Sequence, residues 1–353
     1  MQYIAILAVC LIFLASLAFM MQLGLKQILH AIFYQIYYYF LGSSAMFEDF
    51  IYRRSNKTAL QKLTGRVAVV SGGARGLGVE VVRSLMQCDM HVVIGCRNLE
   101  AGKRTVQEIQ DSGVKTGSAE VLPLDLMSLK SVKLFAEKVL QKYSNLHLLI
   151  NNAGIMFVPF KLTEDSLESH FAVNYLGHCF LTHLLLPHLK LGAEASRKNS
   201  RIVNVSSCAY LAGKINFEDL TMMKGYIPQA AYAQSKLAQI LFTIKLNKLL
   251  EKSGIPVQVH SVHPGIVNTD LFNGTSLKRV APFIPALMFK TPSQGASSVV
   301  HAAISEELEG TGGNYISNCH ISKLKYPATD VEVQDKLWMI MLRLARIEKF
   351  GGI

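Results

Sequence analysis

The chain has 353 residues, 50% of them hydrophobic and 17% charged, with a formal net charge of +11 and a mean hydropathy of +0.27. That length can bury a sizeable core in one large domain or two modest ones, and the hydropathy is high for a chain that never meets lipid. No nucleic-acid motif or aromatic-basic stacking platform accompanies the positive charge, which points away from nucleic acid and toward an anionic membrane surface.

Residues 1 to 25, MQYIAILAVCLIFLASLAFMMQLGL, carry no charged side chain before Lys26. About 20 such residues in a helix cross a bilayer, so the sequence predicts a hydrophobic membrane anchor over 1–47, with its span at about 3–25. A second stretch without Asp, Glu, Lys or Arg, Gln27 to Phe47, holds tyrosines and His30, which suit an interfacial or hairpin segment better than a second span. A cleaved signal peptide is the competing reading. The missing basic n-region, the length and the apolar continuation favour an uncleaved anchor. Arg53, Arg54, Lys57 and Lys62 follow in a basic linker over 48–64, and this bias places the remaining domain in the cytoplasm. Asn56-Lys57-Thr58 and Asn273-Gly274-Thr275 are glycosylation acceptors only in a luminal domain. Cys10, Cys88, Cys96, Cys179, Cys208 and Cys319 are scattered without metal-ligand spacing and read as free thiols in a reducing compartment.

From Gly65 onward β-branched runs alternate with helical patterns. The predicted strands are RVAVVS, HVVIG, AEVLPLD, LHLLINN, RIVNVSS, VQVHSVHPG and a short GGNYIS; helices include Val79 to Gln87, Leu99 to Asp111, Leu129 to Lys142, Ala231 to Leu250 and Ser293 to Ala303. This order implies an α/β fold, a Rossmann-type doubly wound parallel sheet, as one domain over 65–320. The segment 321–353 ends in VQDKLWMIMLRLARIEKF, an amphipathic basic helix suited to a membrane surface, the domain itself or a partner subunit.

The first strand runs into SGGARGLG, residues Ser71, Gly72, Gly73, Ala74, Arg75, Gly76, Leu77 and Gly78. Between a strand and a helix, such glycines let backbone N–H groups and the helix N-terminus receive a pyrophosphate that a Cβ would block. The second strand ends in GCRN: Cys96 takes the place where an acidic residue would hold the ribose hydroxyls of NAD. Arg97 offers its planar fork to a 2′-phosphate, with Arg75 adding a second positive charge. NADP(H) is therefore expected ahead of NAD(H).

Tyr232 and Lys236 in AAYAQSKLAQ lie four apart, on one face of a helix. A tyrosine titrates near 10, and an adjacent ammonium brings the phenolate closer to neutral pH for proton transfer. RIVNVSS ends with Ser206 and Ser207, either of which can hold a substrate oxygen at the sheet edge. His170, His178, His183 and His188 lack metalloenzyme spacing and no metal is expected; Cys208 has no partner base and reads as core filler.

Taken together, SGGARGLG, LDL, NNAG, NYLGH, VSS, YAQSK and HPGIVNTDL resemble the short-chain dehydrogenase/reductase family over about residues 65 to 320. The resemblance implies that Tyr232 is the general acid/base. Lys236 would lower its pKa and hold the nicotinamide ribose, Ser207 would donate to the substrate oxygen, and Asn174 would be the structural and proton-relay asparagine. It further implies that Asp125 and Leu126 meet adenine, that Asn152, Ala153 and Gly154 line the cofactor cleft, and that Pro264, Gly265, Val267 and Thr269 cover the nicotinamide. Ser71 stands where the family commonly has threonine, and the hydroxyl is kept. YAQSKLAQILFT, NYLGHCFLTHLLLP and FKTPSQGA are similar to the membrane-attached branch with retinol and polyprenol dehydrogenases. That likeness implies an alcohol/carbonyl oxidoreductase for a retinoid, a polyprenol or dolichol-type isoprenoid, or a steroid. It also implies a place at the endoplasmic reticulum or lipid droplet, and a homodimer through the 231–250 helix. VAPFIPALMFK, Val280 to Lys290, would cap the substrate cleft. The alternative is a catalytically silent NADP-binding membrane scaffold or sensor, against which Ser207, Tyr232 and Lys236 stand together.

Overall fold

Side chains alternate across the strands, and that alternation builds two cores. Val69, Val93 and Ile202 face one side of the sheet, where they meet Phe135, Leu185 and Leu241. Ala68, Val70, Ile94 and Val203 face the other, against Val81, Ile109 and Val299. A sheet buried on both faces is the pattern expected of parallel strands. The computed structural model describes the chain except residues 1, 53, 55 and 273–287, with side chains from residue 24 onward.

The strands are β1 (Val67–Ser71), β2 (His91–Cys96), β3 (Ser118–Pro123), β4 (Leu148–Asn151), β5 (Ser200–Val205), β6 (Val257–His263), β7 (Tyr315–Ser317) and β8 (His320–Ile321). Among the described residues they form one sheet in the order β3-β2-β1-β4-β5-β6-β7-β8, parallel throughout except for the β7–β8 pair. Helices α2 (Leu77–Gln87), α3 (Leu99–Asp111) and α7 (Pro292–Ile304) cover one face; α4 (Leu129–Lys142), α5 (Gly177–Ser196) and α6 (Pro228–Lys252) cover the other. Local chemistry sets their starts. Asn98 and Ser128 accept from N–H groups in the first turns of α3 and α4, and Thr291 with Gln294 forms a reciprocal capping box on α7.

The N-terminal part differs from expectation. Residues Gln2–Tyr52 form one continuous helix, α1, so the hairpin alternative is corrected. No proline interrupts the stretch, and a glycine such as Gly24 costs only about 1 kcal/mol inside a helix. Among the described residues no helix is long and apolar enough to cross a membrane. The expected span at about 3–25 falls almost wholly on residues whose side chains lie outside the description, so the structure lends the transmembrane anchor no support.

The expected linker is also structured. Thr58 Oγ1 donates to the Ser297 carbonyl at 2.8 Å, Gln61 to that of Ile304 at 2.7 Å, and the Leu63 N–H to Cys88 at 2.6 Å, strapping 56–64 along α7. Asn56 is buried, 2.8 Å from Asn318, and is not presented to a glycan; Asn273 lies outside the described residues, as does most of 280–290. At the far end α8 (Val331–Leu344) packs on α6. Trp338 stacks on Phe242 at 5.9 Å, and Asp335 pairs with Lys245 at 2.6 Å. The C-terminal helix therefore covers its own domain on the face of α6 considered for a partner subunit.

Candidate active site

The strand order reverses direction between β1 and β4, and ligands collect outside the carboxyl ends of the strands at such a point. A cavity of about 550 Å³ opens there, within the usual range for small-molecule sites. At one end Gly76 precedes α2 with φ 56° and ψ −128°, a backbone that favours glycine, and no side chain caps the helix. The first N–H groups of α2 are thus left for an anion. Gly78 serves packing: a Cβ there would stand 2.2 Å from the Gly72 carbonyl oxygen.

The NNAG turn is bolted to this loop. The Asn152 amide donates to the Ser71 and Gly72 carbonyls at 3.0 and 3.1 Å, and Ser71 Oγ accepts from the N–H groups of Asn152 and Ala153 at 3.0 and 3.1 Å. Ser71 is fully buried behind the loop, and a Cβ on Gly73 would strike Val82 and Ile94. Neither residue lines the cavity. Gly72, Arg75, Gly76, Leu77 and Gly78 do, joined by Asp125 and Leu126 on one side and by Asn152, Ala153 and Gly154 on another. Pro264, Gly265, Val267 and Thr269 line it from across the crevice.

Cys96 carries no charge to a ribose diol; its thiol donates to the Asn98 carbonyl at 3.3 Å. Arg75 and Arg97 line the same end, both exposed and neither paired with a carboxylate among the described residues. Two guanidiniums, with a thiol and not an acid at the end of β2, fit a phosphorylated ribose.

At the other end Ser207 follows β5, and Tyr232 and Lys236 stand one turn apart on α6; all three line the cavity. Pro228 occupies the first helical turn, where its missing N–H costs nothing. Tyr232 is 5% exposed and Lys236 4%. The Lys236 ammonium donates to the Val205 carbonyl at 2.7 Å and to Gln239 Oε1 at 2.9 Å, leaving one of its three donors unused. Burial pushes Lys236 down to about 7. Burial also pushes the Tyr232 phenol well above the ordinary tyrosine value, with the Ser207 hydroxyl pulling the other way. The expected lowering of the phenol by Lys236 is therefore not seen: the ammonium lies 5.7 Å from the ring centroid, and desolvation outweighs it. Cys208, beside Ser207, is pushed up to about 12 by burial and stays a thiol.

Asn174 sits behind the cavity, on a π-helical turn over Phe171–Leu176 of a kind frequent at functional sites. Its side chain exchanges hydrogen bonds with the Ile155 backbone at 2.9 and 3.0 Å and donates to Ser235 Oγ at 2.9 Å. Its carbonyl lies 3.2 Å from His178 Nδ1, and His178 Nε2 lies 2.8 Å from Ser71 Oγ. Burial holds this imidazole down to about 3, hence neutral. Asn174 thus links α6 to the glycine loop after β1 without touching the cavity. Of the other candidate histidines, His170 meets Glu168 and His183 accepts from the Gly351 N–H, while His188 Nδ1 has no hydrogen-bond partner among the described residues.

Sequence reasoning missed Gln239, which braces Lys236, and the inner face of α1, whose Tyr38, Leu41, Gly42 and Met46 wall the cavity. The signal for the second was present. From residue 31 to residue 49 its protected positions are 31, 34, 35, 38, 41, 42, 45, 46 and 49, a helical repeat in a segment read only for hydropathy.

The profile of the family described as short chain dehydrogenase matches residues 66–279. The chain is 41% identical over 315 residues to a polyprenol dehydrogenase of Danio rerio, covering 88% of this chain and 96% of the relative. It is 42% identical over 283 residues to retinol dehydrogenase 11 of Homo sapiens, covering 80% and 86%. Among solved structures, an uncharacterized protein from Mycobacterium paratuberculosis superposes with a TM-score of 0.66 at 32% identity, covering 82% of this chain and 96% of that one. Fold, site and relatives agree: the chain belongs to the short-chain dehydrogenase/reductase family and is an oxidoreductase of CH–OH groups.

Proposed function

We propose that the protein interconverts an alcohol and an aldehyde or ketone on a lipophilic substrate, using NADP(H), with Tyr232 as general acid/base. The observation that carries this reading is one cavity with Tyr232, Ser207 and Lys236 at one end, two free guanidiniums at the other, and an apolar helix face beside the phenol. Arg75 and Arg97 would hold the 2′-phosphate, the N-terminus of α2 the pyrophosphate, and the unused donor of Lys236 the nicotinamide ribose. When bound, the dinucleotide supplies or accepts the hydride, and its oxidised ring carries a positive charge. In reduction Ser207 donates to the substrate oxygen and Tyr232 delivers the proton; in oxidation Tyr232 takes it back. A phenol that burial keeps protonated suits the reductive direction.

The relatives named for polyprenol and retinol support a retinoid or isoprenoid substrate, with a steroid as a further member of the class. Membrane attachment, at the endoplasmic reticulum or lipid droplet with the domain in the cytoplasm, draws on the outer face of α1. Phe33, Ile36, Phe40 and Phe47 are exposed there, in continuity with the apolar start of the chain. A homodimer through α6 would have to use what α8 leaves uncovered. The test is NADPH oxidation by the purified full chain with all-trans-retinal, geranylgeranial and a steroid ketone. Turnover on at least one is expected. Dinucleotide binding without turnover on any of them would favour the silent scaffold.

A further inference from the structure

A helix that only tethers a domain to lipid has no use for a buried carboxylate. Asp49, near the end of α1, is 2% exposed. It pairs with Lys290, itself 1% exposed, at 3.0 Å and accepts from the Ile266 N–H at 2.7 Å. Removing either charge from such a pair leaves the other stranded in a poor solvent, so the contact fixes one geometry. What it fixes is the segment across the crevice. Lys290 donates to Asn318 Oδ1 at 2.6 Å, while its backbone accepts from Asn268 and donates to Ile266, each at 2.9 Å. Asp49 thus holds α1 to the Pro264–Thr269 loop.

Upstream of that latch, α1 lies along the catalytic end. Tyr34 donates to the Ala212 carbonyl at 2.8 Å. Tyr38 meets Phe157 edge-on at 5.6 Å, and Phe157 meets Tyr232 at 5.7 Å. Phe157 is held at φ 55°, a conformation unfavourable for a bulky side chain and kept where its surroundings over-determine it. Gly42 also lines the cavity, and a Cβ there meets nothing within 4 Å: the wall has been left open at that point.

We propose that the Tyr34–Asp49 stretch of α1 is the substrate-side wall of the cavity and admits a long apolar chain past Gly42. Asp49 is the positioning residue that holds this wall against the Pro264–Thr269 loop. The inference rests on the alcohol/carbonyl reading above and deepens it: the segment beside the membrane is part of the site, and chain length is read by α1.

The experiment compares steady-state reduction of geranylgeranial, with twenty carbons, and citral, with ten, by the full chain with NADPH. Gly42→Leu fills the opening at a position tolerant of a side chain. It is expected to lower the long-to-short ratio of kcat/KM by roughly tenfold or more, the scale set by a few methylenes in an apolar pocket. Asp49→Ala is expected to raise KM for geranylgeranial by a similar factor while KM for citral stays within about twofold of wild type, a split that a merely structural role would not produce. A Gly42→Leu ratio within about twofold of wild type overturns the wall, and an unchanged KM in folded Asp49→Ala overturns the positioning role. Should Asp49→Ala not fold, Asp49→Asn, which keeps the side chain's shape and removes its charge, takes the same measurement with the same deciding outcomes. Inactivity of the wild-type chain on both aldehydes overturns the parent reading, and this one with it.

Discussion

At the end of the cavity proposed for the nucleotide, the groups on offer are backbone N–H donors and two arginines, each within a few residues of a strand end. At the substrate end they are side chains drawn from α1, α6 and the loops after β4, β5 and β6, with Asp49 and Ile266 meeting across 217 positions of sequence. A phosphate site needs a turn, a helix start and room for an anion, all of which one short motif encodes. A wall for an apolar substrate needs shape, which only the assembled fold supplies.

The comparison can be broken at either end, and the proposed acid/base gives the largest effect. Tyr232→Phe removes that group and is expected to lower turnover by about 100 to 10,000-fold, while NADPH still binds. Unchanged turnover would remove Tyr232 from the chemistry. Next in size is the nucleotide end: Arg97→Asp is expected to shift the NADPH-to-NADH preference by roughly 10 to 100-fold toward NADH, the worth of one charge-assisted contact. A preference that holds or grows would reassign the phosphate site. The smallest effect concerns the buried ammonium. Burial lowers Lys236 to about 7 in the folded chain, against roughly 10.4 unfolded. Between those values the unfolded chain binds more protons, so stability rises with pH by up to about 1.4 kcal/mol per unit and is flat below pH 7. In chemical denaturation of the nucleotide-free protein, the stability of wild type minus that of Lys236→Met should become more positive from pH 7 to 9. A constant difference would contradict the burial argument.

Legibility followed the same division. The seven parallel strands could be read from their short runs between turns, β-branched in β1 and β2 and more mixed in β3, β5 and β6. The two-residue β8 could not, since His320 and Ile321 hold their place only by pairing with β7. Tyr232, Lys236 and Ser207 stood out by spacing and by position at element ends. Asp49 and Lys290 were invisible, because nothing local distinguishes a carboxylate at the foot of an apolar helix from an interfacial charge. The titration of Tyr232 was misjudged for a related reason: sequence placed a cation one turn away but gave no measure of how dry the site is.

The account turns on hydride passing to a substrate carbon in the cavity beside Tyr232. The direct measurement supplies the wild-type chain with NADPH deuterated at the transferable position and geranylgeranial, then weighs the alcohol formed. One deuterium on the carbinol carbon, with the amount of labelled alcohol formed in a given time cut by about 100 to 10,000-fold in Tyr232→Phe, is the predicted result. NADPH consumed without label in the alcohol, or label transfer undiminished in the variant, would contradict it.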